Sequence, residues 1–327
     1  VIPNQASDVE IICQFDDNAL LQMVLGSLNT NLDHLEKKLG VSLNQIGNAV
    51  TISGAKDKAK RAEDALNTLY ERVTRGLDVT KADVDATVRM SKKGGRSKAP
   101  SDAAIHTRKR TIEARSPGQV DYIRAMQTAE LVFGIGPAGT GKTYMAVAKA
   151  VEAKIHGQVE RIILSRPAVE AGERLGFLPG DMKDKIDPYL RPLYDALHDT
   201  LPGAEVVKCI ENGEIEVAPL AFMRGRTLSN AFVILDEAQN TTPTQMKMFL
   251  TRLGENSRMI ITGDMSQVDL PFGAKSGLQD AVETLENRIK EVRFIHLTSE
   301  DVVRHDLVTK IVRAYEQSDN KLKVVGK

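Results

Sequence analysis

The run Gly136-Pro137-Ala138-Gly139-Thr140-Gly141-Lys142-Thr143 has the residue types and spacing of a phosphate-binding loop. Its glycines let the backbone close around an oxyanion, so that successive N–H groups point at phosphate. An apolar run at 131–135 precedes it and a helix-forming run at 144–153 follows it. A helix start at that point adds partial positive charge. Lys142 is placed to reach β- and γ-phosphates, and the Thr143 hydroxyl to ligate Mg²⁺. The expected ligands are a nucleoside triphosphate and Mg²⁺.

A second apolar run, 232–235, ends in Asp236 and Glu237. A buried strand there delivers acids to the nucleotide edge of a sheet. Asp236 is the expected Mg²⁺ carboxylate, as in other phosphate-loop enzymes. Glu237 is the expected general base toward water. A third run, 258–262, ends in the cluster Thr262-Gly263-Asp264, with Gln267 close behind. Thr262, Asp264 and Gln267 offer hydrogen-bond partners for the γ-phosphate or the attacking water. Gln119 precedes the first strand of this region, and its amide suits the adenine edge. Charge developing on the γ-phosphate calls for an arginine. The candidates are Arg166, Arg174, Arg191, Arg224, Arg226 and Arg304, with Arg304 and Arg226 first.

These side chains need a frame. From 117 onward, strand-like runs at 131–135, 161–164, 232–235, 259–262 and 294–297 alternate with helix-like runs at 142–153, 184–198, 244–253 and 305–315. Such alternation predicts an α/β domain with a mostly parallel sheet covered on both faces. Ligands of such sheets sit at the carboxyl ends of the strands. Residues 1–76 read as a separate small α/β domain, with a hairpin turning at Gly47-Asn48 and an amphipathic helix at 56–73. Residues 77–116 read as a basic linker or hairpin, and 117–327 as the nucleotide-binding domain.

The chain balances 44 Lys+Arg against 44 Asp+Glu, so its net field selects no partner. Charge is concentrated locally, in Lys92, Lys93, Arg96, Lys98, Arg108, Lys109, Arg110 and Arg115. Such a stretch either binds nucleic acid or forms a solvated linker. No apolar run approaches the roughly 20 residues of a transmembrane helix, and no secretory signal is evident at the start. The two cysteines, Cys13 and Cys209, form no ligand motif. A cytoplasmic location with reduced thiols is expected.

Together the segments FGIGPAGTGKTYMAVAKAV, ILDEAQNTTPTQMKMFLTRLG, ITGDMSQVDLP and DVVRHDLVTKIVRAY resemble the PhoH family of P-loop ATPases in its longer form. The resemblance implies a RecA-like domain related to superfamily 1 helicases, preceded by a KH-like domain. It aligns Asp236-Glu-Ala-Gln239 and Gly263-Asp-x-x-Gln267 with two helicase motifs, and Gln119 with an adenine-reading glutamine. It places Ser165-Arg166-Pro167 where helicases touch a nucleic-acid backbone. In the KH-like part, Gly26-Ser27-Leu28-Asn29 departs from the Gly-x-x-Gly clamp of RNA-binding KH domains.

The family association is with RNA and ribosomal RNA maturation, beside an endoribonuclease or ribosomal partner. The implied activity is helicase-like remodelling. The alternative is a nucleotide-dependent switch or scaffold that recruits an endoribonuclease without unwinding RNA. The stretch after Gln267 is too short for a second RecA-like domain. The other wall of the ATP site, with its arginine, is then expected from a neighbouring subunit in a homo-oligomeric ring. The family resemblance points to a hexamer.

Overall fold

The computed structural model describes residues 8–91, 103–167 and 182–303, with positions 308 and 311. Arg174, Arg304 and the basic residues Lys92, Lys93, Arg96 and Lys98 lie outside the described residues, as does nearly all of the helix expected at 305–315. Contacts divide the chain into two units, one of residues 1–104 and 113–120, the other of 105–112 and 121–327.

The first unit runs β1 (Asp8–Gln14), α1 (Asn18–Leu25), α2 (Thr30–Leu39), β2 (Ser42–Ile46), β3 (Ala49–Ala55), α3 (Lys56–Thr74) and α4 (Lys81–Met90). Its antiparallel sheet has the order β1-β3-β2. Alternation along β1 and β3 turns Cys13, Val50 and Ile52 onto the helices. Helix α3 presents Ala62, Ala65, Leu66, Leu69 and Val73 to the same core. Burial pushes the Cys13 thiol up to about 11, which makes it a core residue and not a reactive one. The turn between α1 and α2 holds Leu28 and Asn29 at φ 53° and 58°, with Leu28 95% exposed.

Helix α4 falls in the span read from sequence as linker. Asp83 folds back on Thr80, accepting from its N–H at 2.9 Å and its hydroxyl at 2.6 Å, which fixes the helix start. Val84 and Val88 then complete the core of the first unit.

A short ribbon, β4 (Ala104–His106) with β5 (Thr111–Glu113), leads into α5 (Pro117–Thr128). The second unit continues with β6 (Leu131–Ile135), α6 (Lys142–Ile155), β7 (Arg161–Arg166), α7 (Met182–Thr200), α8 (Gly203–Glu211) and β8 (Ile215–Pro219). It ends with β9 (Ala231–Leu235), α9 (Pro243–Leu250), β10 (Arg258–Gly263), α10 (Gly277–Leu285) and β11 (Val292–His296). The six strands lie in the order β11-β6-β10-β9-β7-β8, every pair parallel.

The expected parallel sheet is therefore present. Phe133, Val233, Leu235, Met259 and Ile261 face α9 and α10 in one apolar cluster. Helix α6 is absent from that cluster and packs across β7, β9 and β10 on the other face. From β6 the chain crosses to β7, and from β10 it crosses back to β11. The change of direction at β6 and β10 opens a crevice at their carboxyl ends.

Candidate nucleotide-hydrolysis site

The loop from Gly136 to Thr143 joins β6 to α6 at that crevice. Gly139 and Gly141 stand at φ 85° and 80°, a region that L side chains disfavour. Thr140 is fully buried and its hydroxyl donates to Pro137 O at 2.9 Å, bracing the turn. Gly136 N donates to Gly263 O at 3.1 Å and Val303 N to Gly139 O at 2.9 Å. The ammonium of Lys142 donates to Gly136 O at 2.6 Å and Pro137 O at 2.9 Å. The lysine expected to meet phosphate thus stands at the loop, only 9% exposed.

Asp236 follows β9 and is 4% exposed. Its Oδ1 accepts from Thr143 Oγ1 at 2.6 Å and from Thr262 Oγ1 at 2.7 Å. A hydroxyl and a carboxylate at one point form a hard oxygen donor set, which suits Mg²⁺ completed by phosphate and water. Among the described residues no cluster of His, Cys, Asp and Glu offers an all-protein metal cage. Thr262, whose side chain shares the α6 face of the sheet, thus donates to the Asp236 carboxylate.

Glu237 is held at φ 51°, left-handed for a residue with a Cβ. Such strain concentrates at functional sites. Its Oε2 accepts from Gln239 Nε2 at 2.5 Å, and its Oε1 pairs with Arg166 Nη2 at 3.0 Å. Gln239 is 1% exposed and reaches further. Its Oε1 accepts from Asp264 N at 3.0 Å and its Nε2 also donates to Gln267 O at 3.1 Å.

Asp264 joins this cluster to the phosphate loop. Its Oδ2 accepts from Ala138 N at 3.1 Å and from Gln267 Nε2 at 2.9 Å. Its Oδ1 accepts from Ser266 N and Oγ at 2.9 and 2.6 Å. Lys142, Thr143, Asp236, Glu237, Asp264 and Gln267 all line one cavity of about 260 Å³. Residues more than a hundred positions apart in sequence thus meet at the loop that would hold the phosphates.

Gln119, Arg191, Arg224 and Arg226 are not among the residues that line that cavity. Gln119 lies in the first turn of α5, buried, with its Oε1 accepting from Arg115 N at 2.7 Å. Arg226 is bound through both terminal guanidinium nitrogens, Nη1 and Nη2, to Glu216 of the edge strand β8, at 2.6 and 2.7 Å. Arg191 and Arg224 are exposed. In the basic ribbon, Arg110 pairs with Asp199 at 2.6 Å, Arg108 with Glu205 at 3.1 Å, and Lys109 donates to His198 O at 2.7 Å. Much of the ribbon's charge is therefore already matched by α7 and α8.

Sequence reasoning missed the part played by Gln239 and the Arg166–Glu237 pair. The signal for Gln239 was its place two residues beyond Glu237. For Arg166 it was a cation at the end of the strand beside β9. No described helix is long and apolar enough to cross a membrane.

A parallel sheet with a glycine-rich loop after a central strand, a hydroxyl–carboxylate pair behind it and a second carboxylate beside them defines a nucleotide-hydrolysing P-loop protein. The pattern of the PhoH-like protein family matches residues 111–316, and the chain belongs to that family. A PhoH-like protein of Bacillus subtilis (strain 168) is 50% identical over 300 residues, which are 90% of this chain and 94% of that one. A PhoH-like protein of Mycobacterium tuberculosis (strain ATCC 25618 / H37Rv) is 52% identical over 296 residues, 89% of this chain and 84% of its own. Protein PhoH of Escherichia coli (strain K12) is 50% identical over 206 residues, 62% of this chain and 58% of that one.

Proposed function

We propose that the chain hydrolyses ATP with Mg²⁺ and uses the cycle to remodel RNA or a ribonucleoprotein, in the maturation of ribosomal RNA. The observation that carries the hydrolysis is the convergence of Thr143, Asp236 and Glu237 on the cavity behind the phosphate loop. Loop N–H groups and Lys142 hold the phosphates. Thr143 and Asp236 would hold Mg²⁺, which would supply positive charge against the phosphates. Glu237 takes the proton of the attacking water. Asp264 and Gln267 report the γ-phosphate to the rest of the sheet edge.

The RNA reading is supported by the resemblance of Ser165-Arg166-Pro167 and Gly263-Asp-x-x-Gln267 to helicase motifs. A ring of subunits, hexameric by the same resemblance, supplies an arginine to each site from the neighbour. Arg226 engages only by leaving Glu216, to which it is bound here.

The deciding experiment measures ATP turnover with and without single-stranded RNA, together with displacement of a paired strand. Glu237→Gln is the control, since the amide is nearly isosteric and takes no proton. RNA-stimulated turnover with strand displacement is expected. Turnover no greater than that of Glu237→Gln sinks the ATPase assignment. Turnover with no displacement, and capture of an endoribonuclease only in the ATP state, transfers the reading to a switch.

A further inference from the structure

Both oxygens of the Glu237 carboxylate are engaged, Oε1 by Arg166 at 3.0 Å and Oε2 by Gln239 at 2.5 Å. Arg166 ends β7, which lies on the far side of β9 from β10 and β6. The ion pair therefore draws the carboxylate sideways, away from the strand that carries the phosphate loop. To accept a proton from water at the γ-phosphate, one oxygen must turn back toward β6.

Gln239 is not the partner that lets go. It is buried and fixed at both ends of its amide by Asp264 N and Gln267 O. Arg166, at the carboxyl end of β7, keeps 21% of its side chain in solvent. A competing anion can reach it there.

We infer that the Arg166–Glu237 pair is a latch on the general base, opened when a phosphodiester group of a nucleic-acid strand takes the guanidinium. This rests on the RNA reading above. Guanidinium and phosphate oxygens match as a bidentate fork, which a strand passing the carboxyl edge presents repeatedly. Arg166 acts here as a positioning residue. It touches the base and not the reacting atoms, and its engagement converts RNA binding into a free carboxylate.

The test compares Arg166→Gln, Arg166→Lys and the wild-type chain in steady-state ATP turnover, with and without single-stranded RNA. A partly exposed pair of this kind is worth a factor of about two to five. Arg166→Gln is expected to raise kcat without RNA by that factor, leave KM for ATP within about twofold, and lose further stimulation by RNA. Arg166→Lys keeps a charge without the fork and should fall between.

Linkage supplies a second measurement that does not depend on these variants folding. If RNA frees Glu237, then removing its charge must favour RNA. Glu237→Gln should bind the same RNA about two to five times more tightly than wild type. A fall in kcat for Arg166→Gln, or unaltered RNA affinity in Glu237→Gln, overturns the latch. RNA that stimulates wild type and Arg166→Gln alike also overturns it while the RNA reading stands. RNA that neither binds nor stimulates wild type refutes the RNA reading itself.

Discussion

Thr143 Oγ1 and Asp236 Oδ1 stand 2.6 Å apart, although 93 positions separate them in the chain. One residue lies in the first turn of α6 and the other follows β9. Their meeting sets the point at which Mg²⁺ would sit. Asp236→Asn keeps the shape and removes the negative charge. We expect nucleotide to bind with little change in chelator, while Mg²⁺-dependent turnover falls by about 10²- to 10³-fold, as when one electrostatic element of a site is lost. Nucleotide titrations with and without Mg²⁺, beside turnover, check this. Retention of full Mg²⁺-dependent turnover would move the metal elsewhere.

Lys142 stands 9% exposed against the carbonyls of Gly136 and Pro137. Lys142→Ala removes the only lysine of the phosphate loop. Loss of a hydrogen-bonded charge contact costs about 1.5–3 kcal/mol, roughly 10- to 150-fold in affinity. A fluorescent nucleotide titration should show that loss, with the melting temperature little altered. Wild-type affinity in Lys142→Ala would contradict the assignment of the loop.

Gly136 sits where the loop leaves β6, donating to Gly263 O. A Cβ built there meets the carbonyl oxygen of Leu297 at 2.4 Å. That neighbour is backbone just beyond β11 and cannot swing aside. Gly136→Ala must therefore displace the loop or the segment after β11, at about 1–3 kcal/mol of stability for an overpacked position. Denaturant unfolding and nucleotide affinity should both worsen. Unchanged values for both would show that the loop and the segment after β11 part freely.

The cluster at the phosphate loop was legible because its residues lie at the ends of apolar runs, and a parallel sheet brings strand ends to one edge. The same logic found β6, β7, β9, β10 and β11 but passed over β8 and α5. Strand β8 is an edge strand whose run Ile215–Pro219 is broken by Glu216 and ended by Pro219. Helix α5 has little apolar periodicity along its length, and Gly134 is what lets its Tyr122 lie on β6: a Cβ there would come within 2.6 Å of the ring. Helix α4 was hidden by the charged residues around Val84 and Val88, and only the Thr80–Asp83 pairing marks its start. The Arg166–Glu237 pair needed strand order, which periodicity does not contain.

Arg226 and Glu216 form a bidentate pair with about a third of each side chain exposed. The guanidinium bond holds the Glu216 carboxyl below its ordinary value, against the opposing effect of burial. A carboxyl lowered in the folded state contributes stability above its unfolded value, and that contribution disappears as pH falls through the folded one. A double-mutant cycle with Arg226→Ala and Glu216→Gln should give a coupling of about 0.5–1 kcal/mol at pH 7, reduced by solvent screening. Below the ordinary carboxyl value of 4.5 the coupling should shrink toward zero. Denaturant unfolding of the four chains at neutral and acid pH measures it. If Arg226 serves a neighbour's γ-phosphate, ATP must also weaken this coupling in the assembled ring, since one guanidinium cannot hold both anions. A coupling that ATP leaves unchanged, in chains that hydrolyse it at full rate, removes Arg226 from the candidates.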